Sequence, residues 1–116
     1  MNRLLEIRTY RLKPGRLQQF HAAMRDEAVP MIRARGMDVV CHGHSDHESE
    51  SYYLVRAYAD RPSLEAEQNA FYNSVEWIDG PRKALIVHIE TYLNTLLWAS
   101  DDAVANMRTL NPPPQS

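Results

Sequence analysis

From residue 3 to residue 12 apolar and polar side chains alternate in the period of a strand. Leu5, Ile7 and Thr9 fall on one side, and Glu6, Arg8 and Tyr10 on the other. Pro14-Gly15 breaks the alternation, and the period changes. Leu17, Phe20, Met24, Ala28 and Met31 recur at steps of three and four, which predicts a helix over residues 15–35. Pro30 is expected to kink this helix and Gly36 to end it. Met37 to Ser45 predicts a second strand and Ser51 to Ala59 a third. The polar turn Asp46-His47-Glu48-Ser49-Glu50 joins them into a hairpin. Asp60 or Ser63 caps the next helix, with Pro62 in its first turn, and that helix ends near Asn73. Ser74 caps a further helical piece, interrupted at Gly80-Pro81 and running to about Val87. Ile89 to Trp98 predicts the fourth strand, and Asn111 to Ser116 has the composition of a disordered tail.

The order is βαββαβ, and an internal repeat supports it. Ile7-Arg8-Thr9-Tyr10-Arg11-Leu12-Lys13-Pro14 and Val55-Arg56-Ala57-Tyr58-Ala59-Asp60-Arg61-Pro62 share the pattern apolar-Arg-x-Tyr-x-x-basic-Pro, 48 residues apart. Two copies are too few for a solenoid but suit two strand–helix units related by pseudo-symmetry. The fold class predicted is α+β. It is a ferredoxin-like sandwich with helices on one face of a four-stranded antiparallel sheet and strands one and three at its centre. Residues 1–99 form the domain, and residues 100–116 a C-terminal extension that is disordered at least from 111.

Alternation gives the sheet two faces. The smaller aliphatic face, with Leu5, Ile7, Tyr53, Val55, Ala57, Leu93 and Leu97, suits packing under the helices. The other face carries Tyr10, Tyr52, Leu54, Tyr58, Tyr92, Leu96 and Trp98 among a few charges, too apolar to be left in water. A second copy of the chain, placed by a two-fold axis, is expected to cover it, so a homodimer is predicted. Glu6, Arg8, Arg56 and Glu90 would then pair or stay wet at that interface.

The composition narrows the function classes. A chain of 116 residues is one domain. Thirteen basic and fifteen acidic side chains give a net charge of −2, which is no footprint for nucleic acid or an anionic membrane. No apolar run reaches the length of a spanning helix. The charged start, Met1-Asn2-Arg3-Leu4-Leu5-Glu6, and the single cysteine, Cys41, point to the cytoplasm.

Two sets of side chains are candidates for chemistry. Arg8 and Tyr10, with Arg56 and Tyr58, place guanidinium and phenol groups on adjacent central strands. Such groups bind a carboxylate or donate a proton, and Arg8, Tyr10 and Tyr58 are taken as the catalytic candidates. A structural network with Glu6 and Glu90 is the alternative. Phe71, Tyr72 and Trp77 surround the helix break and are the candidate substrate-binding residues, with core packing as their alternative. Alternation points the first set away from the helices and the second set lies beneath them, so one shared site is expected only at the end of the sheet.

His42, His44 and His47 form His-x-His-x-x-His, a spacing able to chelate zinc or copper with help from Asp46, Glu48 and Glu50. A solvated hairpin is the favoured reading, and neither a metal nor a cofactor is assigned. His21 and His88 are further candidate bases. Cys41 reads as packing rather than as a nucleophile.

Leu5-Glu6-Ile7-Arg8-Thr9-Tyr10, followed by Leu12-Lys13-Pro14-Gly15, resembles the E-x-R-x-Y-x-x-x-x-G opening of NIPSNAP domains. Ala57-Tyr58-x-Asp60, and Glu76-Trp77 followed by Arg82, are similar to that family's second half. The resemblance spans roughly residues 4–98. The acidic hairpin turn Ser45–Glu50 departs from relatives, which carry a glycine and small residues there. The resemblance implies a dimeric α+β barrel of two ferredoxin-like sheets. Similar folds serve as cofactor-free monooxygenases, polyketide cyclases, haem-degrading enzymes and dehydrating enzymes, while NIPSNAP proteins have no well-defined general reaction. The function expected is therefore that of a small homodimer binding a small, partly apolar organic molecule. Cofactor-independent activity of monooxygenase, cyclase or dehydratase type would act on it. The alternative is a non-catalytic interaction or assembly module.

Overall fold

The computed structural model describes residues 1–111. Residues 112–116, most of the predicted disordered tail, lie outside the described residues. Four strands, β1 (Asn2–Leu12), β2 (Asp38–Ser45), β3 (Ser51–Tyr58) and β4 (Ile89–Ser100), form one sheet in the order β2-β3-β1-β4. Every adjacent pair is antiparallel, and β1 and β3 are central as predicted. Ile7 lies opposite Val55. The matching residues of the two repeat copies thus sit at the centre of the β1–β3 pairing, where a pseudo-two-fold between the two halves must pass.

The first helical stretch is built in three parts: α1 (Leu17–Ala23), a π-helical segment (Met24–Ala28) and α2 (Val29–Ala34). The predicted kink at Pro30 is replaced by this widened turn. Proline has no N–H to give the carbonyl four residues back, and its ring crowds that carbonyl. The backbone opens upstream, and the N–H of Val29 reaches the Met24 carbonyl instead. Gly36 ends the stretch at φ +81°. In the second half α3 (Arg61–Tyr72) is capped by Asp60, whose carboxylate accepts from the Ser63 N–H at 2.8 Å. Ser74 caps the single turn α4 (Val75–Ile78), and Pro81 opens α5 (Pro81–Ile86). The acidic hairpin turn has a structural use. The Glu50 carboxylate accepts from the backbone N–H groups of Gly15 and Leu17, which cap α1 in place of a local side chain.

The assignment of the two sheet faces is inverted relative to the sequence expectation. Tyr10, Tyr52, Leu54 and Tyr58 pack beneath the chain's own helices with Phe20, Met24, Ile32 and Phe71. These are the residues expected at a partner interface. The helices are short and interrupted, and only large side chains fill the space between them and the sheet. The charged groups on this face, Glu6, Arg8 and Arg56, are hydrogen-bonded to one another and to neighbouring polar side chains in place of water.

The aliphatic face lies on the far side. Leu5, Val40, Cys41, Val55 and Ala57 form a smaller cluster there, closed by Val104 of a sixth helix, α6 (Asp101–Met107). Ser100 caps α6, and a final 3₁₀ turn, Arg108–Leu110, follows it. Arg108 grips Asp38 through two bonds of 2.8 and 2.7 Å, and Arg3 reaches the same carboxylate at 2.6 Å. Cys41 is fully buried, and burial pushes its thiol up, which makes it packing rather than nucleophile. No helix among the described residues is long and apolar enough to cross a membrane.

Candidate functional site

Alternation along β1 aims Glu6, Arg8 and Tyr10 at the helices, and the register brings Arg56 of β3 and Asn94 of β4 beside them. The result is a closed network. Arg56 donates to Glu6 Oε1 through Nε (2.9 Å) and Nη2 (2.6 Å). Arg8 Nη2 and Asn94 Nδ2 each donate to Glu6 Oε2 at 3.0 Å, and Arg8 Nε donates to Asn94 Oδ1 at 2.9 Å. Glu6 is 1% exposed and Arg56 0%. Burial works to raise the Glu6 carboxyl. The guanidiniums of Arg56 and Arg8 outweigh it and hold the group below the usual carboxylate range. Glu90, expected to join this network, is exposed on β4.

The two candidate sets, expected on opposite sides of the sheet, meet. Tyr72 of α3 accepts from Arg8 Nη1 at 3.1 Å and from Arg56 Nη1 at 2.9 Å. The Arg8 guanidinium also lies over the rings of Tyr72 and Tyr92, 5.5 and 5.0 Å from their centroids. Beside this junction is a cavity of about 340 Å³ between helices and sheet. That is near the low end of the range that holds small-molecule ligands, about 300–1,000 Å³. Its polar wall is Arg8, Tyr10, Gln68, Tyr72, Tyr92 and Arg82, and its apolar wall includes Met24, Ile32, Leu85 and Ile89. The π-helical segment matters here, since Met24 and Ala28 within it both line the space.

Of the predicted site residues, Arg8, Tyr10, Tyr72 and Trp77 line the cavity. Phe71 stands one layer behind, its ring centroid 5.1 Å from Tyr72 and 5.0 Å from Trp77. Tyr58 is buried away from the cavity lining, where its hydroxyl accepts from Gln68 Nε2 at 3.1 Å. Burial, with Tyr72 adding to it, pushes the Tyr10 hydroxyl up to about 12. At neutral pH Tyr10 is therefore a donor and not a base. Sequence reasoning did not single out Gln68, Arg82 and Asn94 as site residues. Asn94 carried a signal in its place on the face shared with Arg8 and Glu6, and Arg82 in the motif it forms with Glu76-Trp77.

The histidines group differently from the predicted cluster. His42 and His44 lie near His21 of α1, and Nδ1 of His21 and of His42 lie 2.8 and 2.7 Å from the Tyr52 hydroxyl. His47 bonds Ser45 Oγ at 2.8 Å instead. Among the described residues no three of His, Cys, Asp and Glu come together as ligands for a metal ion. His88 lies 3.0 Å from Arg16 Nη1, at the same end of the sheet but beside the opposite edge strand, β4. A wider groove of about 590 Å³, open to solvent, runs on the outer face by Thr9, Arg11, Ser51 and Leu93. It adjoins none of the buried charges.

A four-stranded antiparallel sheet carrying both helical stretches on one face defines a ferredoxin-like α+β domain. The sequence matches the NIPSNAP family model over residues 5–100, and the chain belongs to the NIPSNAP family. No curated protein matches it. Among solved structures it is similar to an uncharacterized NIPSNAP domain protein from Burkholderia xenovorans, at 20% identity and TM-score 0.74, over 84% of this chain and 95% of that one. A NIPSNAP family protein of unknown function from Agrobacterium tumefaciens gives 18% identity and TM-score 0.77, over 84% and 88%. A candidate antibiotic biosynthesis monooxygenase from Bordetella bronchiseptica gives 20% and 0.62, over 87% and 98%. At these identities the likeness is one of fold.

Proposed function

We propose that this protein is a homodimer that binds a small, partly apolar organic molecule in the cavity between helices and sheet, and that it acts on that molecule without a cofactor. The observation that carries the reading is the junction at Tyr72. A buried, internally bonded Arg8–Glu6–Arg56 network opens through Arg8 and the Tyr72 phenol onto a cavity whose opposite wall is apolar. Few convergent polar groups on an apolar cavity are what a small-molecule site requires. Arg8, Tyr10 and Tyr72 are the groups placed to orient a ligand or pass it a proton. Tyr58 takes a supporting part through Gln68. The fold shared with a candidate monooxygenase is compatible with such chemistry and does not select it.

The homodimer rests on β4, which is the edge strand and is exposed along most of its length. Leu93 is 73% exposed and Trp98 55%. Leu93 and Trp98 point to opposite sides of the strand, and a second copy laid along this edge, over both its faces, would remove that surface from water. The same exposed strand favours the second reading, a non-catalytic assembly module. Trp77 fluorescence, read in a Trp98→Phe background, separates the two. Quenching or a spectral shift with small aromatic acids or polyketide-like compounds, lost on filling the cavity by Ala28→Leu, supports a ligand site. An unchanged spectrum across the panel supports the assembly module.

A further inference from the structure

The cavity wall carries charge of one sign. Arg8 and Arg82 line it, and no aspartate or glutamate does. The network behind it holds two guanidiniums, Arg8 and Arg56, against one carboxylate, and both oxygens of that carboxylate are already engaged. Tyr72 satisfies an N–H on each guanidinium but contributes no charge. One positive charge beneath the helices therefore lacks a counter-charge, a costly state in a poorly solvated site. Arg82 forms no ion pair among the described residues.

The donors also point one way. Tyr72 Oη accepts from two guanidiniums, so its own hydrogen remains to be donated. Tyr10 is held protonated. Three of the five N–H groups of Arg8 are bonded within the described residues, leaving two.

We infer that the ligand is a monoanion, an apolar carboxylate or enolate, with its charge against Arg8, Tyr72 and Arg82 and its hydrocarbon among Met24, Ile32, Leu85 and Ile89. This deepens the proposed function and rests on its reading of the cavity as a ligand site. Such an anion supplies the missing counter-charge, and a neutral analogue of the same shape does not.

The test compares two apolar fluorescent probes of similar size, the anion 8-anilinonaphthalene-1-sulfonate and neutral N-phenyl-1-naphthylamine, on the wild-type protein and on Arg82→Glu. Arg82 is solvent-exposed, so its substitution leaves the core intact, and an unchanged melting temperature checks this. The anion should bind at least tenfold tighter than the neutral probe. Arg82→Glu should weaken the anion at least tenfold while altering the neutral probe less than twofold. Equal or tighter binding of the neutral probe keeps the cavity as a ligand site and overturns the anion. Anion binding that ignores Arg82→Glu places the probe elsewhere, on the β4 surface, and also overturns it. If neither probe binds, the ligand site itself falls, and the inference falls with it.

Discussion

Glu6 and Arg56 face each other across the β1–β3 pairing with Oε1 2.6 Å from Nη2, and water reaches neither side chain. Their pairing lets the sheet turn its charged face inward. A lone buried charge would force that face back towards solvent. A pair with every lone pair bonded can lie under helices, although it contributes less net stability than apolar residues of the same volume would.

Removing one partner should therefore cost far more than the pair contributes. Glu6→Gln leaves two guanidiniums buried without a carboxylate, and a loss of about 3–5 kcal/mol is expected in urea unfolding. The pH dependence follows from the lowered Glu6 carboxyl. Its folded value lies below its unfolded one, so its stabilisation is complete above the ordinary carboxylate range. The unfolded chain takes up the proton first as pH falls, and stability is lost from about pH 4.5 downward. The slope below that point should be shallower in Glu6→Gln than in the wild type.

A second pH effect belongs to the histidine pair. Burial, then His21 and Arg33, lower His42 to about 4. A histidine whose folded value lies below its unfolded 6.5 destabilises the fold as pH falls between those two values. Arg25 and Asp26 of the π-helical segment also act on the neighbouring His21, and His44 lies beside it. Allowing for partial exposure, the loss should be about 1–2 kcal/mol between pH 7 and pH 4. His42→Gln should flatten that part of the profile, and an equally steep profile in the variant would assign the effect elsewhere.

Much of this was legible in the chain. The caps at Asp60 and Ser74, the break at Gly80-Pro81 and the 48-residue repeat give the element order and place β1 beside β3. Which face turns inward was not legible. Alternation defines two faces, and the expectation set Glu6, Arg8 and Arg56 at a partner interface, because the bonding of Glu6 to Arg56 is a property of a pair brought together from 50 residues apart. That same inversion separated Arg8 from Tyr72 on paper when the fold joins them. The π-helical turn has no periodic signature of its own. α6 did have one, Ser100 followed by Asp101 and Asp102, but its seat on the far face depends on Arg108 finding Asp38.

The break between α4 and α5 sets the position of Trp77 and Arg82. Gly80 makes the break possible, since a side-chain carbon there would run into the backbone carbonyl of Glu76. The carbonyl belongs to the turn itself and cannot move aside alone. Gly80→Ala should cost about 1–3 kcal/mol, and it should alter Trp77 emission in the Trp98→Phe background even without ligand. A variant with wild-type stability and spectrum would show that the turn adapts freely.

Assembly gives the last prediction. Leu93 lies on the outer face of β4, opposite Thr9 in the β1–β4 register, and packs into neither core cluster of its own subunit. A substitution there should barely disturb the folded chain, within about 0.5 kcal/mol for an exposed position. In a homodimer seated on β4 the same position is dehydrated by the partner, and a carboxylate placed there stays unpaired. Light scattering of the wild type should give twice the 13.4 kDa chain mass. Leu93→Glu should give a folded monomer with an unchanged circular dichroism spectrum. Tyr58→Glu should behave in the opposite way. It puts a charge beneath the helices, where Tyr58 is fully enclosed, and the subunit should unfold before any dimer dissociates. A wild-type monomer at tens of micromolar, or a Leu93→Glu variant that remains dimeric, would move the second copy off β4.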